Sequence, residues 1–544
     1  MAASFTLFTH LIDLHQRRTY PAEITVQDGR IRRIAPTDQP VTHYALPGFV
    51  DAHVHIESSM LTPSEFARLA VVHGTVATVS DPHEIGNVLG VPGLEFMIED
   101  GNKVPFKFSF GASPCVPATP FETAGATLTV DDVAHLLARE EVRYLSEMMN
   151  WPGVLQRDAD VMAKINLAHQ HGKPVDGHAP GLRGEQARQY AAAGISTDHE
   201  CFTADEARDK LACGMHILIR EGSAARNFDA LIDLMGEAPE RLMFCSDDKH
   251  PDALVEGHID QLVKRALAKG FDLYDVLRAA CVNPVVHYRM PVGLLREGDP
   301  ADFILVDDPT TFRVLKTWID GELVAEQGLT ALASQPCEPL NSFEAHPKQP
   351  TAFRVANEGP TLRVIEALDG QLITNVLELP HRQTGAWIEA SVPDDLLKIA
   401  VVNRYQPDAP PAVGFIKGFG LTQGALASSV AHDSHNIVAV GADDASLCRA
   451  VNAVIREKGG IAVVHQEAVA VLSLPVAGLM STENGYEVAR QYATLDRQAK
   501  ELGSRLGAPF MTLSFMALLV IPRLKMSDRG LFDGEAFTFV KPVE

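Results

Sequence analysis

The chain has 544 residues, 46% hydrophobic and 22% charged, with a mean hydropathy of +0.01. That leaves room for three or four domains of roughly 100 to 200 residues and excludes both wholesale disorder and a lone small binding module. With 47 Lys+Arg against 70 Asp+Glu the net charge is −23, so phosphate backbones and anionic bilayers are repelled, and neither nucleic acid nor a membrane is expected as a partner.

Residues 1–18 show no basic stretch followed by an apolar core and a small-residue cleavage site, and no apolar run approaches the ~18 to 20 residues of a membrane span. The expected address is cytoplasmic. Seven cysteines, an odd number without CxxC spacing, argue against a disulfide framework or a cysteine-type zinc site and read as buried, reduced thiols.

In chain order, residues 5–47 carry short strand-like runs at 23–27 and 30–34, separated by Asp28-Gly29, a strong hairpin signal. Eight apolar, β-rich runs follow at 49–55, 74–81, 107–112, 142–148, 174–178, 195–199, 216–221 and 242–247. Amphipathic helical stretches lie between them, for example 64–73 after Thr62-Pro63, 159–171 and 185–193. An open doubly wound sheet is built from the same alternation. In all runs but the third, however, polar residues sit at or beside the C-terminal end, as the catalytic face of a closed (β/α)8 barrel requires.

After the barrel, runs at 301–306 and 314–319 precede another hairpin signal, Asp320-Gly321, and four prolines with polar neighbours mark 334–350 as a linker. The expected organisation is α/β: a composite β-sandwich from 1–47 and 285–333, a (β/α)8 barrel over 48–284, and a C-terminal α+β domain over 351–544 that is long enough for its own core.

His53-Val-His55 ends the first run, and strand alternation puts residues i and i+2 on one face, where both imidazoles can reach one ion. Alone, this spacing is weak. Runs four, five, six and eight add Glu147, His178, His199 and Asp247 at their ends. Four imidazoles and two carboxylates exceed the needs of one tetrahedral ion and suit two divalent Mn, Fe or Zn ions. A carboxylate-bridged pair ~3.5–4 Å apart would make a nucleophile of water at neutral pH. The competing reading is unrelated polar strand ends filling a wet barrel mouth.

Pro47-Gly-Phe-Val-Asp-Ala-His-Val-His55 with the later His, His and Asp resembles the amidohydrolase superfamily, and Gly293-Leu-Leu-Arg-Glu-Gly298-Asp-Pro-Ala-Asp302 resembles the segment leading into its second sandwich half. The finer resemblance is to the adenine deaminase family. It is carried by His55-Ile-Glu-Ser-Ser-Met60, Asp81-Pro-His-Glu-Ile-Gly-Asn87, Ser146-Glu-Met-Met-Asn150, Asp176-Gly-His-Ala-Pro180, Asp198-His-Glu200, Cys245-Ser-Asp-Asp-Lys-His-Pro251, Gly418-Phe-Gly-Leu421 and Ala431-His-Asp-Ser-His-Asn436.

This resemblance implies hydrolysis of a purine base, adenine, by water on a binuclear centre, in a homo-oligomer. It places His53 and His55 on one metal, His178 and His199 on the other, Glu147 between them and Asp247 completing the first. Where many superfamily branches use a carboxylated lysine, this sequence offers Glu147.

Attack at C6 of a purine needs a nucleophile, a proton shuttle and donors to the ring nitrogens. Asp247 is the expected shuttle. Glu84 and His83 either protonate the ring nitrogen or cap a helix. Asp248 either accepts a purine N–H or is solvated. Glu221 and Ser223, in Arg220-Glu221-Gly-Ser223, either bind substrate or belong to an exposed salt-bridged turn, with Arg220 and Glu221 expected as an exposed pair. His432 and His435 either close the site or bind an ion, with a surface structural role as the expectation.

Overall fold

The computed structural model describes residues 4–544. The eight runs form the eight barrel strands, β1 (Phe49–Val54), β2 (Thr75–Ser80), β3 (Lys107–Ala112), β4 (Val142–Met148), β5 (Val175–Gly177), β6 (Thr197–Asp198), β7 (His216–Arg220) and β8 (Leu242–Cys245). All pairings among them are parallel. Strands β1 to β5 make one hydrogen-bonded sheet and β6 to β8 another. Bridges at Val175–Ile195 and Val54–Asp247 join the two and close the ring.

The second bridge lies at the C-terminal mouth of the barrel. Asp247 N donates to His53 O at 2.9 Å, and His55 N donates to Asp247 O at 3.2 Å. The backbone that closes the barrel therefore also fixes three candidate ligands side by side.

Strands β1 and β2 are buried at every residue, as expected for parallel strands covered on both faces. The helices between strands follow the sequence signals. One starts at Pro63, where the missing N–H costs nothing, and runs Pro63–Ala70 before a short turn through His73. Another, Ala159–Gln170, is capped by the Asp158 carboxylate accepting from Asp160 N and Val161 N.

Strands from both flanks of the barrel enter one eight-stranded sheet. Tyr44–Pro47 pairs in parallel with Phe5–Asp13 and antiparallel with Phe303–Val306, so the chain before the barrel is zipped to the chain after it. The Phe5 ring lies 5.8 Å from Trp318 although their strands are three apart in the sheet. Strand spacing alone would put them ~14 Å apart, so the sheet curls onto itself around a core that includes Ile24, Phe303 and Trp318. At the first Asp-Gly pair, Asp28 and Gly29 both take positive φ (+51° and +76°), the geometry of a two-residue hairpin turn, and Asp320 and Gly321 repeat it.

The stretch 334–350 has no regular structure up to its last residue, yet it is not free. Phe343 is buried in the core of the following domain, and Glu344 N and Ala345 N donate to Arg404 O. Residues beyond it build a second eight-stranded sheet, mixed in direction, with helix Asp444–Glu457 packed on it. Helix Gly485–Glu501, helix Pro509–Phe515 and a three-stranded sheet starting at Leu524 complete this part.

It docks on the barrel mouth through Tyr492 Oη with His250 Nδ1 (2.5 Å), Gly485 N donating to Glu65 (2.8 Å) and Thr123 N donating to Asp528 (2.9 Å). Among the described residues, no helix is long and apolar enough to cross a membrane.

Candidate metal centre

At the barrel mouth, His53 Nε2 and His55 Nε2 face each other at 3.2 Å, and Asp247 Oδ1 lies 3.5 and 3.3 Å from them. His55 Nδ1 donates to the Asp81 carbonyl at 3.1 Å, which leaves the Nε2 lone pair directed at the cluster. Glu147 spans two groups. Its Oε1 is 3.5 Å from His55 Nε2, while its Oε2 is 2.7 Å from His178 Nδ1 and 3.2 Å from His199 Nε2. One carboxylate thus presents an oxygen to each pair of imidazoles, the geometry a bridging ligand needs.

Burial pushes the His53 imidazole well below its ordinary pKa, and His199 and His55 push it further, which keeps it in the neutral, metal-binding form. For Glu147, burial pulls upward but is outweighed by His178 and His199, which hold the carboxyl well below the usual range.

Asp247 adopts φ +55°, a conformation Asp tolerates better than most residues, at the point where β8 ends. Its Oδ2 accepts from Arg220 Nη1 at 2.7 Å. Arg220 also forks onto Glu200, with Nη1 on Oε1 and Nη2 on Oε2. The exposed Arg220–Glu221 pair expected from the sequence is therefore not formed. Arg220 is 3% exposed and ties β6 to β8 at the site. Glu221 turns away to Arg265 at 2.6 Å, and Ser223 accepts from His250 N and donates its own N–H to Asp248 O, so both support the loop behind the cavity and neither lines it.

The cavity at the mouth is small, ≈ 30 Å³, and is walled by imidazoles and carboxylates. Asp248 is on its wall, held by Ser58 Oγ at 2.5 Å and buried, so it is not a solvated surface acid. His83 and Glu84 line it from the first turn of helix His83–Leu89. His83 lies 3.3 Å from Asp81 and 3.6 Å from Asp433.

The surface role expected for His432 and His435 is overturned. Both are buried, and His432 Nδ1 and His435 Nε2 bond the two oxygens of Glu84. Sequence reasoning also passed over Glu200, Asp433, Leu372 and Leu518, all on the cavity wall. Glu200 and Asp433 stand in motifs already noticed, Asp198-His-Glu200 and Ala431-His-Asp-Ser-His-Asn436, whereas the two leucines carry no signal of their own.

The donor set fits divalent cations. Six carboxylates line the cavity against a single guanidinium, and the Nε2 atoms of His53 and His55 converge at 3.2 Å while His53 Nδ1 is buried without a partner. Such an excess of buried negative charge is costly without cations.

A closed parallel barrel with imidazoles and acids converging at its C-terminal mouth defines a metal-dependent hydrolase of the amidohydrolase type. The amidohydrolase family model matches residues 44–324, and the adenine deaminase C-terminal domain model matches residues 371–538. The chain is 60% identical over 541 residues to an adenine deaminase of Salinibacter ruber, covering 99% of each. It is 56% identical to one of Sulfurovum sp. (98% of each) and 46% identical to one of Borreliella burgdorferi (98% of this chain, 99% of the relative). The chain belongs to the adenine deaminase family.

Proposed function

We propose that the protein hydrolyses adenine to hypoxanthine and ammonia: water adds its oxygen at C6 and the exocyclic nitrogen leaves. The observation that carries this reading is the similarity to adenine deaminases along the full chain, through both the barrel and the C-terminal region that wall the same cavity.

Two divalent ions, Mn, Fe or Zn, fit the ligand set. His53, His55 and Asp247 would hold one, His178 and His199 the other, and Glu147 would bridge them. Bound there, they would lower the pKa of water toward neutrality and so supply a nucleophile.

Asp247 accepts the proton of the attacking water and returns it to the departing amine. Its place beside His53 and His55 carries this assignment, with Oδ1 3.5 and 3.3 Å from their Nε2 atoms. Although burial pulls its pKa upward, Arg220 at 2.7 Å and the neighbouring imidazoles hold the carboxyl well below the ordinary value, so it stands ionised before the proton arrives. His83 serves the ring nitrogen. Burial alone would lower its pKa, but Asp81 and Glu84 raise it well above the usual value, which makes it a donor at neutral pH. Glu84 keeps that donor charged, and Asp248 accepts a purine N–H. The seven free cysteines, five of them buried, support a reducing, cytoplasmic setting.

Coupled measurement of ammonia release from adenine by the metal-loaded protein, with hypoxanthine identified by its ultraviolet spectrum, tests the reading. Turnover of another aminopurine or a cyclic amide with none of adenine would replace it.

A further inference from the structure

The loop carrying Ala431-His-Asp-Ser-His-Asn436 reaches from the C-terminal domain over the barrel mouth, and His432 is its point of entry into the cavity. The side chain is buried. Its ring stacks on Phe515 with centroids 5.4 Å apart, and Nδ1 is bonded to Glu84 Oε1. An ionised carboxylate oxygen only accepts, so Nδ1 carries a hydrogen.

Glu84 cannot swing away. Its other oxygen is bonded to His435 Nε2, and His435 Nδ1 accepts from Ala431 N at 3.1 Å, which fixes that ring as an Nε2–H donor. The far nitrogen of His432, Nε2, is buried on the cavity wall and has no hydrogen-bond partner. The nearest acid oxygen, Asp248 Oδ1, is 3.7 Å away, beyond hydrogen-bond reach.

We propose that His432 Nε2–H donates a hydrogen bond to a ring nitrogen of the bound purine, so that the C-terminal domain supplies a substrate-contacting group to the barrel's active site. This rests on the purine-deaminating reading above and adds a residue to it. Glu84 orients the His432 ring as a buried carboxylate orients an imidazole elsewhere, with the opposite nitrogen meeting the substrate, but here the ring is the imidazolium, with hydrogens on both nitrogens, so that nitrogen donates. The charged groups around the ring favour its donor form: Glu84 and Asp248 face it from the barrel and Asp433 from its own loop, against the more distant imidazoles of His250 and His435. Burial alone would lower its pKa, yet Glu84 and Asp248 lift it to about 9. A donor fixed in this way strengthens as addition at C6 drives electron density onto the ring nitrogens, which is where stabilisation accelerates the reaction.

Two amide variants separate this contact from a role exerted only through Glu84. His432→Asn places an amide nitrogen near Nδ1 and keeps the bond to Glu84 but deletes the far nitrogen. His432→Gln carries the amide out toward Nε2 and gives up the Glu84 bond. Each is assayed for kcat/KM with adenine and, by titration calorimetry, for binding of hypoxanthine to the metal-loaded protein, after circular dichroism and thermal midpoint show the fold retained.

The expected result is a loss of roughly 10- to 100-fold in kcat/KM for His432→Asn, weaker hypoxanthine binding in parallel, and a smaller loss for His432→Gln. Among 1-, 3- and 7-deazaadenine, tested as ligands, one should bind the wild type and His432→Asn equally, because it lacks the accepting nitrogen. Three outcomes overturn the proposal: no loss in His432→Asn, a greater loss in His432→Gln than in His432→Asn, or a penalty equal across all three deaza compounds. Wild-type protein that binds hypoxanthine but releases no ammonia from adenine refutes the activity, while the binding arm still decides the contact. Wild-type protein that binds no purine refutes both.

Discussion

Replacing Arg220 with Met is the most demanding test of how the site is held together. The guanidinium is 3% exposed and forms the fork to Glu200 and the 2.7 Å bond to Asp247, both of which are 2% exposed. Methionine fills a similar volume but strands two buried carboxylates. Removing one member of a buried ion pair costs about 3–5 kcal/mol, and with a urea slope of ~2–3 kcal/mol/M the unfolding midpoint should fall by roughly 1–2 M.

The sign with pH follows from Asp247. Its carboxyl is depressed in the wild type, so its contribution to stability is present above the unfolded-state value near 4 and is lost as pH falls through the folded one. In the variant, burial of the two stranded carboxylates is no longer opposed by the guanidinium, so they take up protons in the folded state above the unfolded value, and the deficit is largest at neutral pH and shrinks as the medium is acidified toward pH 4. Urea titrations of chelator-treated protein at several pH values measure this without interference from metal loss. Arg220→Lys, which keeps the charge but not the fork, should fall between the two. A deficit under about 1 kcal/mol at pH 7, or one that does not change with pH, would refute the reasoning.

Glu147→Gln should lower bound transition metal per chain in elemental analysis, and an unchanged stoichiometry would refute the bridging role proposed for Glu147. Asp247→Asn should cut ammonia release by roughly 10²–10⁴-fold with the circular dichroism spectrum intact, and undiminished release would rule out its role as proton shuttle. Burial and Asp433 push the Glu122 carboxyl up to about 8. Its contribution to stability is therefore complete below the unfolded value near 4.5 and lost as pH rises through 8. Glu122→Gln, which stays neutral, should gain on the wild type by roughly 2–4 kcal/mol between pH 5 and pH 9, and parallel stability curves would refute this.

The barrel was legible because its signals are local. Each strand is a short apolar run, five of the eight carry a candidate ligand near or just past the end, and the structure places the strands within three residues of those runs. The His53-Val-His55 spacing likewise encodes a shared face in three residues.

What stayed hidden depends on contacts that no local pattern records. His432 and His435 lie 348 and 351 positions from Glu84, so two histidines three apart in a tail gave no hint of a buried carboxylate between them. Arg220 looked exposed because an arginine at a strand end usually is. Its partners, Glu200 and Asp247, come from neighbouring strand ends and become visible only once the ring closes. The proline-rich stretch 334–350 reads as a tether by composition, yet Phe343 anchors it in a core built mostly from residues beyond 390.

The C-terminal domain completes the site electrostatically as well as covering it. The barrel alone would leave Glu84 facing open solvent, with both oxygens free to bind water. With the domain in place, those oxygens meet two imidazoles, Leu372 and Leu518 add apolar wall, and every residue lining the cavity is buried. Excluding water lowers the local dielectric, which strengthens each charge interaction inside and raises the cost of any charge left unpaired. A cavity with six acids can be closed in this way only if cations and imidazolium groups balance them. The barrel's own His83 lies 3.5 Å from Glu84 but also 3.3 Å from Asp81, and the two imidazoles bonded to the Glu84 oxygens come from outside the barrel. The two domains share one electrostatic site: the C-terminal domain brings His432 and His435 to Glu84, and Asp433 to within 3.6 Å of His83.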